Sequence, residues 1–141
     1  IVLLAAMIPI EGALVSTGGS LTIAEAINSI GAHGSLALTL LIILVATMIL
    51  SGVVNNTAAA VIMAPIAIDV AVGMGVGIDP LLMAVAVGAS AAFLTPIGHQ
   101  SSTLVMGPGG YKFTDYWRVG LPLSLVVIAV SIPLIIFVWT P

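Results

Sequence analysis

Two uncharged polar stretches interrupt an otherwise apolar chain, and any chemistry the molecule performs has to start with them. The first is Ser51-Gly-Val-Val-Asn-Asn-Thr57, set between Leu36–Leu50 and Ala58–Val72, two runs made almost entirely of Leu, Ile, Val and Ala apart from Asp69. The second is Thr95-Pro-Ile-Gly-His-Gln-Ser-Ser-Thr103, with one Pro, one Gly and six polar side chains in nine residues. Each Asn carboxamide brings two donors and an acceptor. Burying such groups without partners costs about 2–7 kcal/mol each, so a chain that puts them among hydrocarbon must give them something to hold. The chemistry that fits is the holding of ions and a small anionic solute midway through a membrane.

Composition narrows the classes further. The 141 residues are 61% hydrophobic and 5% charged, with mean hydropathy +1.37. A soluble domain carries about 25% charged residues, so there is too little charge here to cover a water-facing surface, and the chain reads as an integral membrane domain over residues 1–141. No basic patch exists for nucleic acid. Cysteine is absent, which removes disulfides and Cys-based metal sites. His99 is the only His near a polar break, with no Cys, metal-ligand partner or paired carboxylate beside it. That is no basis for an intramembrane enzyme, and no catalytic residue or bound cofactor is expected. The chain opens at Ile1 inside an apolar run without the basic region of a signal peptide, and it reads as a piece of a longer polypeptide.

The elements that must position the two breaks are all helical. Ile1–Val15 is a short apolar segment kinked by Pro9. Its Glu11 reads as a carboxylate near a helix end, with pairing to another helix as the alternative. Thr17–Ser20 breaks it. Leu21–Ile30 is amphipathic and short, which suits a helix lying along the interface. Gly31–Gly34 ends that helix, and His33 sits in this polar loop as a surface residue. Leu36–Leu50 and Ala58–Val72 form a hairpin whose arms, about 22 Å each at 1.5 Å per residue, fall short of a hydrocarbon core of about 30 Å. With no charge and no Pro in its turn, the hairpin reads as re-entrant. The alternative is two short spanning helices joined in water.

Gly73–Pro80 is a Gly-rich loop, with Asp79 as N-cap and Pro80 at the first helical position of the next helix. That helix, Leu81–Leu94, is rich in small residues, which permit close helix contact in lipid. It breaks at Thr95–Thr103, resumes at Leu104, and stops again at Met106–Gly110. Non-helical backbone at membrane depth needs protein or a water-filled cavity to satisfy it, and two such breaks are the pattern of discontinuous helices at a transporter site. Tyr111–Arg118 is the charged, aromatic interface, and Lys112 and Arg118 mark the cytoplasmic side. Val119–Trp139 spans, with Pro122 in its first turn and Pro133 bending it. The hairpin then dips in from outside.

Ala89-Ser-Ala-Ala-Phe-Leu-Thr-Pro-Ile-Gly98, followed by His-Gln-Ser-Ser-Thr-Leu-Val105, resembles the signature of the divalent anion/sodium symporters. Gly107-Pro-Gly-Gly-Tyr111 and Arg118-Val-Gly-Leu-Pro122 are most similar to the members that carry regulatory TrkA-C-type domains. The resemblance covers essentially the whole chain, as the second of two inverted repeats of an ion-transporter fold. It implies an all-α, polytopic protein of the plasma or inner membrane with a re-entrant hairpin and a broken transmembrane helix, a first repeat elsewhere in the parent chain, and room for a homodimer.

The implied activity is sodium-coupled uptake of a small divalent anion: a dicarboxylate, citrate or sulfate. Carried over by position, Ser51, Asn56 and the carbonyls of Val54 and Gly98 form the sodium shell, a set of neutral oxygens suited to a hard cation. Asn56 and Thr57 face the anion with Asn55 close, and Ser102 completes the solute side. The sequence departs from the family at Asn55, where Ser is usual, and at Ser102, where Asn is usual. Two other readings stay open. One is a related proton- or arsenite-moving transporter, for which Asp69 is the nearest carboxylate. The other is a membrane fragment or subunit that transports nothing.

Overall fold

The computed structural model describes residues 13, 16–18, 22, 25–27, 35–54, 56–96 and 100–139. Every regular element among them is an α-helix: α1 Leu36–Val53, α2 Asn56–Met74, α3 Ile78–Ser90, α4 Gln100–Met106 and α5 Phe113–Trp139. Three of these, α1, α2 and α5, are long and apolar enough to cross a membrane. This is a polytopic, all-helical membrane chain.

The interior is made by α1, α2 and α3, each packed on the other two, with α5 laid against α1 and α3. On α1 the buried residues are Thr39, Leu40, Ile43, Leu44, Thr47, Met48, Ser51 and Gly52, a stripe at the i, i+3, i+4, i+7 spacing of one helical face. Ile66 and Val70 of α2 and Leu81 of α3 are fully buried against it. The α1–α3 contact depends on backbone approach. A Cβ on Gly88 would lie 2.7 Å from the Leu44 carbonyl oxygen and 2.9 Å from Thr47 Cβ, so only glycine lets these helices close. Thr47 keeps its own hydroxyl satisfied by donating to the Ile43 carbonyl at 2.6 Å.

Several boundaries differ from the sequence reading. The hairpin arms are 18 and 19 residues long, about 27–29 Å at 1.5 Å per residue, because Ser51–Val53, Asn56–Thr57 and Gly73–Met74 are helical. Arm length therefore does not separate a re-entrant hairpin from two spanning helices. The exit loop is only Gly75–Gly77. Gly75, at φ 66°, donates to the Val72 carbonyl while Val76 donates to that of Ala71, the paired closure that ends a helix on a left-handed glycine. The N-cap of α3 is Gly77, not Asp79, which lies in the first turn.

Helix α3 stops at Ser90 instead of Leu94, so the break begins at Ala91; α4 resumes at Gln100 instead of Leu104. Helix α5 starts at Phe113, well before Val119, because Asp115 Oδ2 accepts the Lys112 backbone N–H at 2.8 Å and caps the start. Pro122 consequently sits inside the helix rather than in its first turn. Of the interfacial helix expected over Leu21–Ile30, Thr22 and Glu25–Ile27 are described and helical, with Glu25 exposed and Ile27 buried. Glu11, His33 and His99 lie outside the described residues.

Candidate functional site

The turn of the α1–α2 hairpin and the end of α3 are tied together by reciprocal side-chain bonds. Ser51, fully buried in the last turn of α1, has its hydroxyl 2.6 Å from the Ala89 carbonyl oxygen near the end of α3. Thr95, in the non-helical stretch after α3, donates its hydroxyl to the Gly52 carbonyl near the end of α1 at 2.5 Å. The last four carbonyls of a helix have no partner inside it. The C-terminal ends of the two helices lie together at this point, and each side lends a hydroxyl to cap a carbonyl of the other.

Ser51 Oγ also lies 2.9 Å from Asn56 Oδ1. A hydroxyl carries one proton, and the Ala89 carbonyl can only accept, so the proton belongs to Ala89. The two ends of a carboxamide have the same shape, and which end is oxygen follows from its partners. With the amide end turned to Ser51, both contacts pair a donor with an acceptor: Asn56 N–H to Ser51 Oγ, Ser51 O–H to Ala89 C=O.

The backbone supplies the field. A helix carries about half a negative charge at its C-terminus and half a positive charge at its N-terminus. Here α1 and α3 bring two C-termini to one place, neither with a basic residue in its last turn. Helix α2 starts beside them at Asn56 with no acid in its first turn. Carbonyl, hydroxyl and carboxamide oxygens between two negative ends suit a hard cation of low charge. The α2 N-terminus next to them favours an anion. Among the described residues no group of three His, Cys, Asp or Glu comes together as a metal-ligand set, so the oxygens at the tip are neutral ones.

Of the residues expected at the site, Ser51 and Asn56 are brought into contact. Thr57 follows on α2 and is exposed, and Val54 forms the bend after α1, also exposed, its N–H donating to the Leu50 carbonyl at 2.9 Å. Asn55 and Gly98 lie outside the described residues. Ser102 is in α4, and its carbonyl accepts the Tyr116 hydroxyl at 2.8 Å. With Phe93, Tyr111, Asp115 and Tyr116 it lines a cavity of about 460 Å³ against α5.

Sequence reading missed Thr95, Gly52 and Ala89 as individuals. Thr95 opens the second polar break, which was the available signal; Gly52 and Ala89 act through backbone carbonyls, which no side-chain pattern marks. Helix α5 closes the outside of the break, where a Cβ on Gly120 would overlap the Phe93 carbonyl.

Comparison with known proteins places this sequence in a family context. The profile of a family described as citrate transporters, CitMHS, matches residues 1–140. The chain is 39% identical over 135 residues to an uncharacterized transporter of Escherichia coli (strain K12), covering 96% of this chain and 22% of that protein. It is 33% identical over 129 residues to sodium/sulfate cotransporter 1 of Chlamydomonas reinhardtii, covering 91% of this chain and 15% of that protein. It is 27% identical over 144 residues to a sodium-dependent dicarboxylate transporter of Staphylococcus saprophyticus, covering 92% of this chain and 27% of that protein. The chain therefore spans only about a fifth of the length of the first relatives it matches.

Proposed function

The chain belongs to the citrate transporter (CitMHS) family, and from that membership we propose that it forms the ion- and solute-holding part of a secondary transporter that couples sodium to uptake of a small divalent anion. The observation that carries this reading is the meeting of two helix C-termini and one helix N-terminus at an uncharged, oxygen-lined point, with Ser51 bonded to both Asn56 and Ala89. A cation seated against the C-terminal carbonyls of α1 and α3 offsets their like partial charges. It also supplies positive charge beside the α2 N-terminus, where no Lys or Arg is available. Anion and cation then stabilise each other, which is the thermodynamic content of symport.

In this proposal the Asn56 oxygen, Ser51 and the carbonyls of Val54 and Gly98 surround sodium. Asn55, Asn56 and Thr57 hold the anion, and Ser102 enters only as a wall of the cavity on the α4–α5 side. Names among the relatives favour sodium as the ion and sulfate or a dicarboxylate as the passenger. The hairpin turn is re-entrant in this reading: it packs on the break at the level of Gly120, about 10 Å into α5 at 1.5 Å per residue. The parent, in the plasma or inner membrane, supplies an inverted first repeat and the TrkA-C-type domains that the sequence resemblance implies.

A proton-driven alternative needs a carboxylate at the tip. Asp69 lies about 20 Å along α2 from Asn56 at 1.5 Å per residue, which leaves that alternative without a carboxylate at the tip among the described residues. The deciding experiment is uptake of labelled sulfate, succinate and citrate by the full-length parent in proteoliposomes, with an inward sodium gradient or with choline in its place. Uptake of one of these anions that requires sodium is the expected result. Equal uptake in choline overturns the coupling.

A further inference from the structure

Thr95 stands outside the residues assigned to ion or solute above, and its bond to the hairpin tip joins positions 43 residues apart. We propose that Thr95 is a positioning residue for the cation: its hydroxyl latches the C-terminus of α1 to the break after α3 and so builds the site before the ion arrives. This rests on the sodium-coupled reading given above.

The argument begins with the Gly52 carbonyl. It lies in the last turn of α1, which ends at Val53, where a carbonyl must find its partner outside the helix. The Thr95 hydroxyl is that partner. The rest of the side chain lies over Gly52 as well: a Cβ there would meet Thr95 Oγ1 at 3.5 Å and Cγ2 at 3.8 Å, both ordinary contacts. Thr95 thus covers the α1 terminus with a donor and a methyl together. Ser51, one residue earlier, is tied to Ala89 at the other end of the same break. Adjacent residues of α1 are fastened to the two sides of the point where α3 stops.

Electrostatics explains why a latch is needed. Two helix C-termini repel through their partial negative charges. Neither α1 nor α3 has a basic side chain in its last turn to offset this. Without a cation, hydroxyl protons are what bring positive charge between them, and Thr95 contributes one of these. If the latch is absent, the empty tip rests in a more open arrangement, and sodium must close it as it binds. Apparent affinity then falls by the fraction of molecules already closed. The anion, arriving at a tip that sodium has closed, meets the same surroundings with or without the latch. The signature is a change confined to the cation.

The test uses the full-length parent in proteoliposomes, comparing wild type with T95V, which keeps the shape and loses the donor, and with T95S, which keeps the donor. A hydrogen bond of this kind is worth roughly a tenfold change or less in an equilibrium. T95V is expected to raise the sodium concentration for half-maximal uptake about fivefold, a value within that bound. The anion KM at saturating sodium should stay within about twofold, and T95S should restore sodium dependence close to wild type. In detergent, the sodium-induced rise in thermal midpoint should need correspondingly more sodium in T95V.

Three results overturn the latch: unchanged sodium dependence in T95V, a T95S as defective as T95V, or an anion KM that rises at saturating sodium. The last would make Thr95 a solute contact. If T95V is not recovered from membranes, T95C takes its place with a weaker donor; an intermediate sodium shift supports the latch and a wild-type value overturns it. Wild-type uptake that ignores sodium removes the functional reading itself, whereas sodium-dependent wild type with an indifferent T95V removes only this inference.

Discussion

Of the apolar window that could cross a membrane, α1 buries 44% inside the bundle and α5 only 11%, although both are built from Leu, Ile, Val and Ala. On α1 the inward face carries Thr39, Thr47, Ser51 and Gly52 among its apolar residues, and it meets α3 through Gly88 with backbone in contact. On α5 the bulky residues Leu125, Val126, Val130, Leu134 and Phe137 point outward, and the close approach is concentrated at Gly120. In lipid an exposed Leu costs nothing, so burial is driven by packing and hydrogen bonding rather than by escape from water. The helix that holds polar chemistry therefore adds small residues and hydroxyls to a buried face of Leu40, Ile43, Leu44 and Met48. The lesson is that hydrophobicity alone does not separate the two helices, whereas buried hydroxyls and close-contact glycines mark the working interior.

The strongest way to break that contrast is to remove a polar group from the working side. Asn56→Ala deletes the carboxamide bonded to Ser51, and with it the oxygen proposed for sodium. Uptake by the full-length parent should fall to background while surface expression persists. Wild-type rates would place the site elsewhere. Next in size is Gly88→Ala. Its new methyl must displace the Leu44 carbonyl or Thr47, and overpacking of this kind costs about 1–3 kcal/mol. A denaturant titration in mixed micelles should register that loss. An unaltered midpoint would mean that α1 and α3 are not in backbone contact.

The same contrast explains what was legible beforehand. The positions of the helices could be read because Gly75, the Asn pair and Thr95–Pro96 punctuate apolar runs that can only be helices in lipid. Membership of a transporter family was legible from the ordered signature Ala89–Val105. The inward faces were not: large apolar residues lie on both faces of α1, so no hydrophobic period marks its buried stripe, although Thr39, Thr47 and Ser51 all fall on it. Helix ends were misplaced where a side chain met a backbone group. Ser51–Val53 stay helical where Thr95 caps the Gly52 carbonyl and Ser51 is tied to the Ala89 carbonyl, and Phe113 starts α5 because Asp115 caps it. Ser102 rests on its position in the family signature alone; α4 is helical from Gln100, and the Ser102 carbonyl accepts the Tyr116 hydroxyl.

The smallest predicted effect sharpens the comparison most, because it needs two truncations of similar size measured side by side. Leu44 is fully buried and Phe137 is 87% exposed. Leu44→Ala leaves a cavity between α1 and its neighbours and should cost about 2 kcal/mol, the low end of the soluble range, since lipid removes much of the transfer contribution. Phe137→Ala removes the larger side chain, yet should change stability by less than about 0.5 kcal/mol, because its ring faces outward. A soluble fold would rank the two by burial as well, so the sharper readout comes from adding polarity. Phe137→Asn should destabilise the bilayer-embedded parent more than Phe137→Ala does, because a carboxamide facing hydrocarbon has no partner. If Asn and Ala at position 137 are equally tolerated in the parent, that face of α5 is covered by another part of the protein or by water. In that case the outward surface of α5 is an interface, and the two helices differ in their neighbours more than in their packing.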